Sequence, residues 1–247
     1  MNSADLATSE PRAAAGPPLR GISSMATRSL LAALCEAYAQ RSGQAVQQSV
    51  QIEAVGGVLA AQRVAAGENF DLVLLASDAI DKLMLAGHLA PGSRVDIVRS
   101  PVAVAVRAGA LRPDIGSAAA LRQAVLAAPS IALSTGPSSA FLLQLFERWG
   151  IAEALRPRLR QAPPGVPVGS LVAAGEVALG FQQLSELIDL PGIEVLGLLP
   201  ADADFITTFA AAWPPQATRV AAVRAFLAFA GSDETLTLKR RHGMEPA

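Results

Sequence analysis

The run Phe70-Asp-Leu-Val-Leu-Leu-Ala76 narrows the fold more than any other stretch of this chain. After Asp71 it is continuously apolar, so a strand here offers no face to water and must be covered on both sides. Strands of that kind belong to parallel sheets connected through helices. The flanking segments supply those helices. Ile22 opens a short apolar approach, and a helical pattern over residues 26–41 stops at Ser42-Gly43. Residues 50–55 read as a second strand, and Gly56-Gly57 leads into a helix through residues 58–64. Ser77-Asp78 then starts a third helix, running to about Ala86. This βαβαβα order predicts a doubly wound sheet. Ligands of such sheets bind beyond the carboxyl ends of the strands, where Ser23-Ser24, Gly56-Gly57 and Ser77-Asp78 all fall.

A second set of elements follows. Residues 101–107 read as a strand, residues 118–126 as a helix, and Ser130-Ile-Ala-Leu133 as a strand. The loop Ser134-Thr-Gly-Pro-Ser-Ser139 leads into a helix over residues 141–149. After the Pro-rich stretch 162–167 come a short helix at 170–174, the buried strand Val177-Ala-Leu-Gly-Phe181 and the segment Gln182-Gln-Leu-Ser-Glu-Leu187. A strand over 206–213, an amphipathic helix over 218–230 and a basic helix at 239–241 close the chain. The expected fold class is therefore α/β with two lobes, each a doubly wound sheet. Lobe I takes residues 19–100 plus 205–247, and lobe II takes 101–204. Crossings near 99–101 and 204–208 form a two-stranded hinge, and residues 1–18 read as a disordered tail.

Composition excludes several functions. The 247 residues carry a net charge of −1 and no basic run with interleaved aromatics, so nothing points to nucleic acid. Cys35 is the only cysteine and lies inside the first helical pattern, which rules out a disulfide framework and reads as a buried core thiol. His88 and His242 are far apart and lack metal-ligand spacing, so neither a metal nor another cofactor is expected. The same two histidines leave the loose elbow around Ser138 without a triad partner. No run reaches the ~18 apolar residues of a membrane helix. The first residues are acidic rather than basic, and no apolar core of a secretory signal follows them. The expected location is the cytoplasm, or the periplasm if a signal has been removed.

The stretch from Gly21 to Tyr38 carries the chemistry. A strand that turns directly into a helix leaves the first backbone N–H groups unpaired and places the positive end of the helix dipole there. Such a start attracts an anion. Ser23, Ser24 and Thr27 add hydroxyls, and Arg28 adds a planar donor suited to a carboxylate. Ser24 serves either as a helix cap or as an anion ligand; both place it at the cleft. Asp78 is a candidate general base or, with Ser77, a cap. Glu53 either points into the cleft from the second strand as a base candidate or pairs with an arginine on a surface face. Glu186 is a further base candidate, with a solvated role as the alternative. The loop at Thr135, Gly136, Ser138 and Ser139 faces the first loop across the hinge, where one serine can cap while its neighbour binds ligand. Trp149 and Trp213 read as core or interlobe packing.

With its pieces in this order the chain resembles the type II periplasmic-binding-protein fold, of the molybdate-binding-protein-like kind, from Leu19 onward. The marks are Ser23-Ser24-Met25, Gly56-Gly57-Val-Leu-Ala-Ala-Gln62, Phe70-Asp71-Leu with Ala76-Ser77-Asp78, the loop 134–139, and Gly175-Glu-Val-Ala-Leu-Gly180. The resemblance implies an oxyanion pocket whose first serine is Ser24. The family's second serine falls at Gly57 and its pocket tyrosine at Gln183, so two hydroxyl donors are absent. Backbone donors are implied near Ser138 and near Val168. In exchange the neighbourhood holds Arg28, Thr135, Ser138, Ser139, Gln182 and Gln183, which suit a planar, multiply carboxylated ligand. The resemblance includes an aconitate isomerase branch. Together with the missing export signal it implies a cytoplasmic isomerase of a small tricarboxylate, working by an allylic proton shift, with Ser24 and Asp78 as catalytic candidates. The alternative is a solute-binding protein of an ABC transporter for a molybdate-like oxyanion or a carboxylate. Only that alternative implies a permease as partner; neither implies membrane insertion.

Overall fold

The structure, a computed structural model, describes residues 17–43, 49–163 and 165–247. The first strand, β1 (Leu19–Ser24), passes through a 3-10 turn at Met25–Thr27 into α1 (Arg28–Ser42). Gly43 ends that helix in the left-handed region, with φ of 64°, where a side chain would be strained. β2 (Val50–Val55), α2 (Gly57–Ala65), β3 (Leu72–Ala76) and α3 (Ser77–Leu85) complete the first half. Every residue of β3 is buried, as its unbroken apolar run requires.

The strand β4 (Val95–Arg107) is longer than the expected 101–107 because its two halves pair with different strands. Val95 to Pro101 pair with β9 (Ile206–Ala212), whereas Val102 to Arg107 pair with the strands of the second half. Between them lie α4 (Ala118–Ala127), β5 (Ile131–Leu133), α5 (Pro137–Arg148), α6 (Ala152–Leu155), β6 (Leu159–Gln161), α7 (Val168–Ala173), β7 (Leu179–Gln183), α8 (Leu184–Leu187) and β8 (Ile193–Leu198). The chain closes with α9 (Val220–Gly231), α10 (Leu236–Arg241) and β10 (Glu245–Pro246). The strand order is β2-β1-β3-β9-β4-β7-β5-β6, with β8 and β10 also on β4. The pairs β1–β2, β1–β3, β5–β6 and β5–β7 are parallel; β9 returns antiparallel between β3 and β4.

The cores follow this division. Leu30, Leu34, Leu72 and Phe226 fill one face of the first sheet, and Ile22, Val73, Leu75 and Ile80 the other. Val102, Leu121, Phe146 and Phe181 fill the second half. Each fully buried Leu, Ile or Phe side chain contributes about 1.5–3 kcal/mol relative to exposure. Cys35 is a buried free thiol, and burial pushes its pKa up to about 12. Trp213 sits in the first core and Trp149 packs on the second.

Three expectations shift. The tail over residues 1–16 lies outside the described residues, but Pro17 and Pro18 are held, because Arg219 donates to both carbonyls while pairing with Asp71. Ser138 and Ser139 lie in the first turn of α5 rather than in a loop, since Pro137 is suited to the first helical position. Gln182 and Gln183 are the last two residues of β7 rather than a segment following it.

Candidate functional site

Between the two sheets lies a cavity of about 350 Å³, the size of a small-molecule site. Helix starts converge on it from both halves. Met25 and Ala26 line it just before α1, Gly57 at the start of α2, Asp78 in the first turn of α3, and Ser138 in the first turn of α5. The last residues of β7, Gln182 and Gln183, form part of the wall with Glu186, and Leu75 and Phe209 add apolar surface. No Arg, Lys or His lines the cavity among the described residues. Negative charge placed here meets helix dipoles and hydroxyls instead of a cationic side chain.

Ser24 has the geometry of a helix cap, with φ of −81° and ψ of 159°, yet its side chain makes no cap hydrogen bond. Its Oγ is buried and has no partner among the described residues. Leaving a buried hydroxyl unpaired costs about 1–3 kcal/mol. Gly57 stands beside it: a Cβ built there would lie 3.6 Å from the Ser24 Cβ, an ordinary contact. The missing second hydroxyl therefore leaves open space in this wall.

The other wall is cross-linked internally. Gly180, on β7, is the pivot, because a Cβ there would come within 2.6 Å of Val172 and 2.8 Å of Val168. That close approach seats α7 on the strand. The Val168 N–H donates to Gln182 Oε1 at 2.8 Å, so the backbone donor implied near Val168 is already engaged, and Val168 does not line the cavity. Gln182 Nε2 in turn donates to Glu186 Oε1 at 2.8 Å. Gln183 sits between the crossing strands. With its oxygen toward Thr207, its amide accepts from Thr207 Oγ1 at 2.7 Å and donates to the Ser100 carbonyl at 2.9 Å. Gln183 thus ties β7 to β4 and β9 while presenting one side to the cavity.

The remaining expected residues divide between the cavity and its surroundings. Thr135 and Ser138 line it; Ser139 does not, because its Oγ turns inward to donate to the Ser134 carbonyl. Ser23 is fully buried and ties β1 to β2 by donating to the Glu53 carbonyl at 3.4 Å. Arg28 is exposed on the first turn of α1 and outside the lining, since that residue of the turn points to solvent. Asp78 lines the rim, but its side chain is 56 % exposed and pairs with Lys82 at 3.4 Å. It does not act as a cap, because Ala76 holds that position. Glu53 lies outside the lining and pairs with Arg63 at 2.7 Å; that hydrogen bond holds its carboxyl below the usual range.

Glu186 behaves differently. It is partly buried in the cavity wall, and burial pushes its carboxyl up to about 7, against the opposing hydrogen bond from Gln182. A carboxyl balanced near neutrality is suited to moving protons. A solvated surface role, the alternative weighed for it, does not match this position.

Residues 19–245 match the family model for bacterial extracellular solute-binding proteins. The chain belongs to that family. An aconitate isomerase from Pseudomonas sp. is 38 % identical over 185 residues, covering 74 % of this chain and 70 % of that protein. The periplasmic molybdate-binding protein of Azotobacter vinelandii superposes with a TM-score of 0.73 at 20 % identity, over 92 % of this chain and 98 % of that one. The substrate-binding domain of a putative molybdenum ABC transporter from Clostridium difficile gives 0.71 at 15 % identity, over 93 % and 99 %. At those identities the two structures share the fold alone. Within this solute-binding-protein fold, the donor inventory around the cavity is hydroxyls, amides and helix starts, with a single half-buried carboxyl. Sequence reasoning underrated Glu186. The available signal was its spacing: four residues after Gln182, immediately past a strand too apolar to be exposed.

Proposed function

We propose that this protein is an isomerase of a small tricarboxylate, converting trans-aconitate and cis-aconitate by an allylic proton shift. The unpartnered Ser24 Oγ is the observation that carries the reading. Ser24 lines a cavity on which helix starts converge, and a buried hydroxyl without a partner there is a donor available to an anionic acceptor once the side chain turns. The aconitate isomerase relative supports turnover rather than capture alone. In this reading Ser24 and Ser138 hold carboxylates from opposite walls, and the starts of α1, α2 and α5 stabilise the dienolate charge that develops when a proton leaves carbon. The ligand lies against Phe209 and Leu75, which keep water from the carbanion.

The test is direct. Purified protein is mixed with trans-aconitate, and formation of cis-aconitate is followed by proton NMR. Conversion is expected; its absence at high protein concentration removes the proposal.

One observation favours a second reading, a receptor for an oxyanion. The cavity lacks a cationic side chain among the described residues, an arrangement in which dipoles and hydroxyls alone neutralise the ligand. The family match supports it too. A receptor predicts a large rise in melting temperature with molybdate or tungstate and no turnover of any carboxylate.

A further inference from the structure

We propose that Glu186 is the catalytic residue that carries the proton, with Gln182 as the positioning residue that dictates which carboxylate oxygen does so. The assignment rests on the isomerase reading above. Its geometric basis is the absence of a loop between β7 and α8, which brings Gln182 and Glu186 together at the cavity wall. A main-chain N–H can only donate, so the Val168 N–H fixes the Gln182 oxygen toward α7. The Gln182 NH2 must then face Glu186, and it too can only donate. Glu186 Oε1 is therefore an acceptor in both protonation states. The proton is assigned to Oε2, which makes no hydrogen bond among the described residues.

The electrostatic surroundings agree. Asp78 is the only other titratable group lining the cavity among the described residues, and it sits at the rim beside Lys82. The elements packed against α8 present little charge. The 3-10 turn contributes the Ala26 carbonyl, which accepts from Ser185 Oγ; β4 and β7 contribute Ala103, Ala105 and the glutamines; on β8, Glu194 pairs with Arg112. Beyond α8, Asp189 acts on His242 of the chain's last segment. Burial without a charged partner leaves the Glu186 carboxyl near 7, so it is base and acid by turns at neutral pH.

The step balances within the site. Carboxylate Oε2 takes a proton from the substrate's methylene carbon, and the freed C–H pair becomes a new double bond to the central carbon. The electron pair of the former double bond moves to the other arm, whose carbon takes a proton from Oε2. Glu186 ends as it began, and no oxidant or co-reactant enters.

Glu186→Gln and Gln182→Met test both roles on trans-aconitate, with turnover read by NMR and binding by calorimetry. Glu186→Gln is expected to bind trans-aconitate while losing at least ~100-fold in kcat. In the wild-type protein the acid limb of kcat/KM is expected near pH 7, rather than near the ordinary carboxyl value of about 4. Gln182→Met removes the hydrogen bond that favours the carboxylate, so its limb moves to higher pH; an unmoved limb refutes the positioning role. A converting wild-type protein whose Glu186→Gln variant keeps more than about a tenth of kcat, or whose limb lies near pH 4, overturns the Glu186 assignment alone. A wild-type protein that binds trans-aconitate without converting it removes the isomerase reading and this assignment with it.

Discussion

The two walls of the cavity are built on opposite principles. In the first wall, from β1 and α2, Ser24 Oγ is buried without a partner and Gly57 leaves room beside it. In the second, from β7 and its neighbours, polar groups are engaged before any ligand arrives: Val168 with Gln182, Gln182 with Glu186, Gln183 with Thr207 and Ser100, and Ser139 with Ser134. An open donor is a cost in the empty protein that a ligand removes. A closed network fixes geometry and protonation but adds little to affinity. The difference suggests a division of labour, with most of the binding energy drawn from the first wall, and with Ser138's carboxylate contact and the proton chemistry placed on the second.

Removing Ser24 attacks the first wall and has the largest expected effect on binding. Ser24→Ala is expected to weaken trans-aconitate binding by about 1.5–3 kcal/mol, or roughly 10–100-fold, as for a hydrogen bond to a charged group. The same change should leave the empty protein as stable as before or slightly more so, because the hydroxyl it removes is unsatisfied. Calorimetry and urea unfolding measure the two halves. Loss of stability together with loss of binding would show Ser24 to be a structural hydroxyl and erase the contrast.

Gly180→Ala strikes the second wall. Its Cβ has no room between Val168 and Val172, and overpacking of this kind costs about 1–3 kcal/mol. Displacing α7 also withdraws the Val168 N–H from Gln182. Urea unfolding should report the destabilisation, and turnover should fall more than trans-aconitate affinity. An equal fall in both would mean that the second wall contributes binding as well.

Sequence reasoning reached the fold further than the site. The unbroken apolar run of β3 and the alternation of strands and helices are properties of single segments, so they can be read one at a time. Residues such as β8 and the full length of β4 were less legible, because β4 serves two sheets and its first half, Val95-Asp-Ile-Val-Arg, mixes charge with apolar residues. At the site, Ser24, Gly57, Ser138 and Gln182 fall on the cavity because they end strands or start helices. Arg28 does not, since a first-turn side chain points outward or inward according to a helix rotation that no local pattern fixes. Glu186 was underrated for a related reason. Whether a Glu after a strand is solvated depends on what covers it, and here the cover comes from distant segments.

The engaged wall should also mark stability with pH. The folded-state pKa of Glu186 is raised to about 7 from an ordinary 4.5. Its contribution is therefore fully present below about 4.5 and is lost as pH rises toward 7 and above. Because the side chain keeps some exposure, the loss is expected at about 1–2 kcal/mol. Urea unfolding of the wild-type protein and of Glu186→Gln, at pH 5 and pH 8, isolates it: the variant should gain on the wild type at the higher pH. A constant difference between the two proteins would mean that the carboxyl is solvated and that the second wall does not bury it.

The smallest effect sharpens the comparison from the first wall's side. Gly57→Ser fits, with its Cβ 3.6 Å from that of Ser24 and no other atom within 4 Å, and Ser is well tolerated at a helix start. Stability should stay within about 0.5 kcal/mol of the wild type. The added hydroxyl places a second donor beside the first, in an arrangement suited to a tetrahedral oxyanion. Molybdate affinity should rise by about 0.5–1.5 kcal/mol, roughly two- to tenfold, while trans-aconitate affinity stays the same or falls because the new side chain occupies ligand space. If both ligands gain equally, the open space beside Ser24 is not what separates carboxylate from oxyanion, and the selectivity must come from the second wall instead.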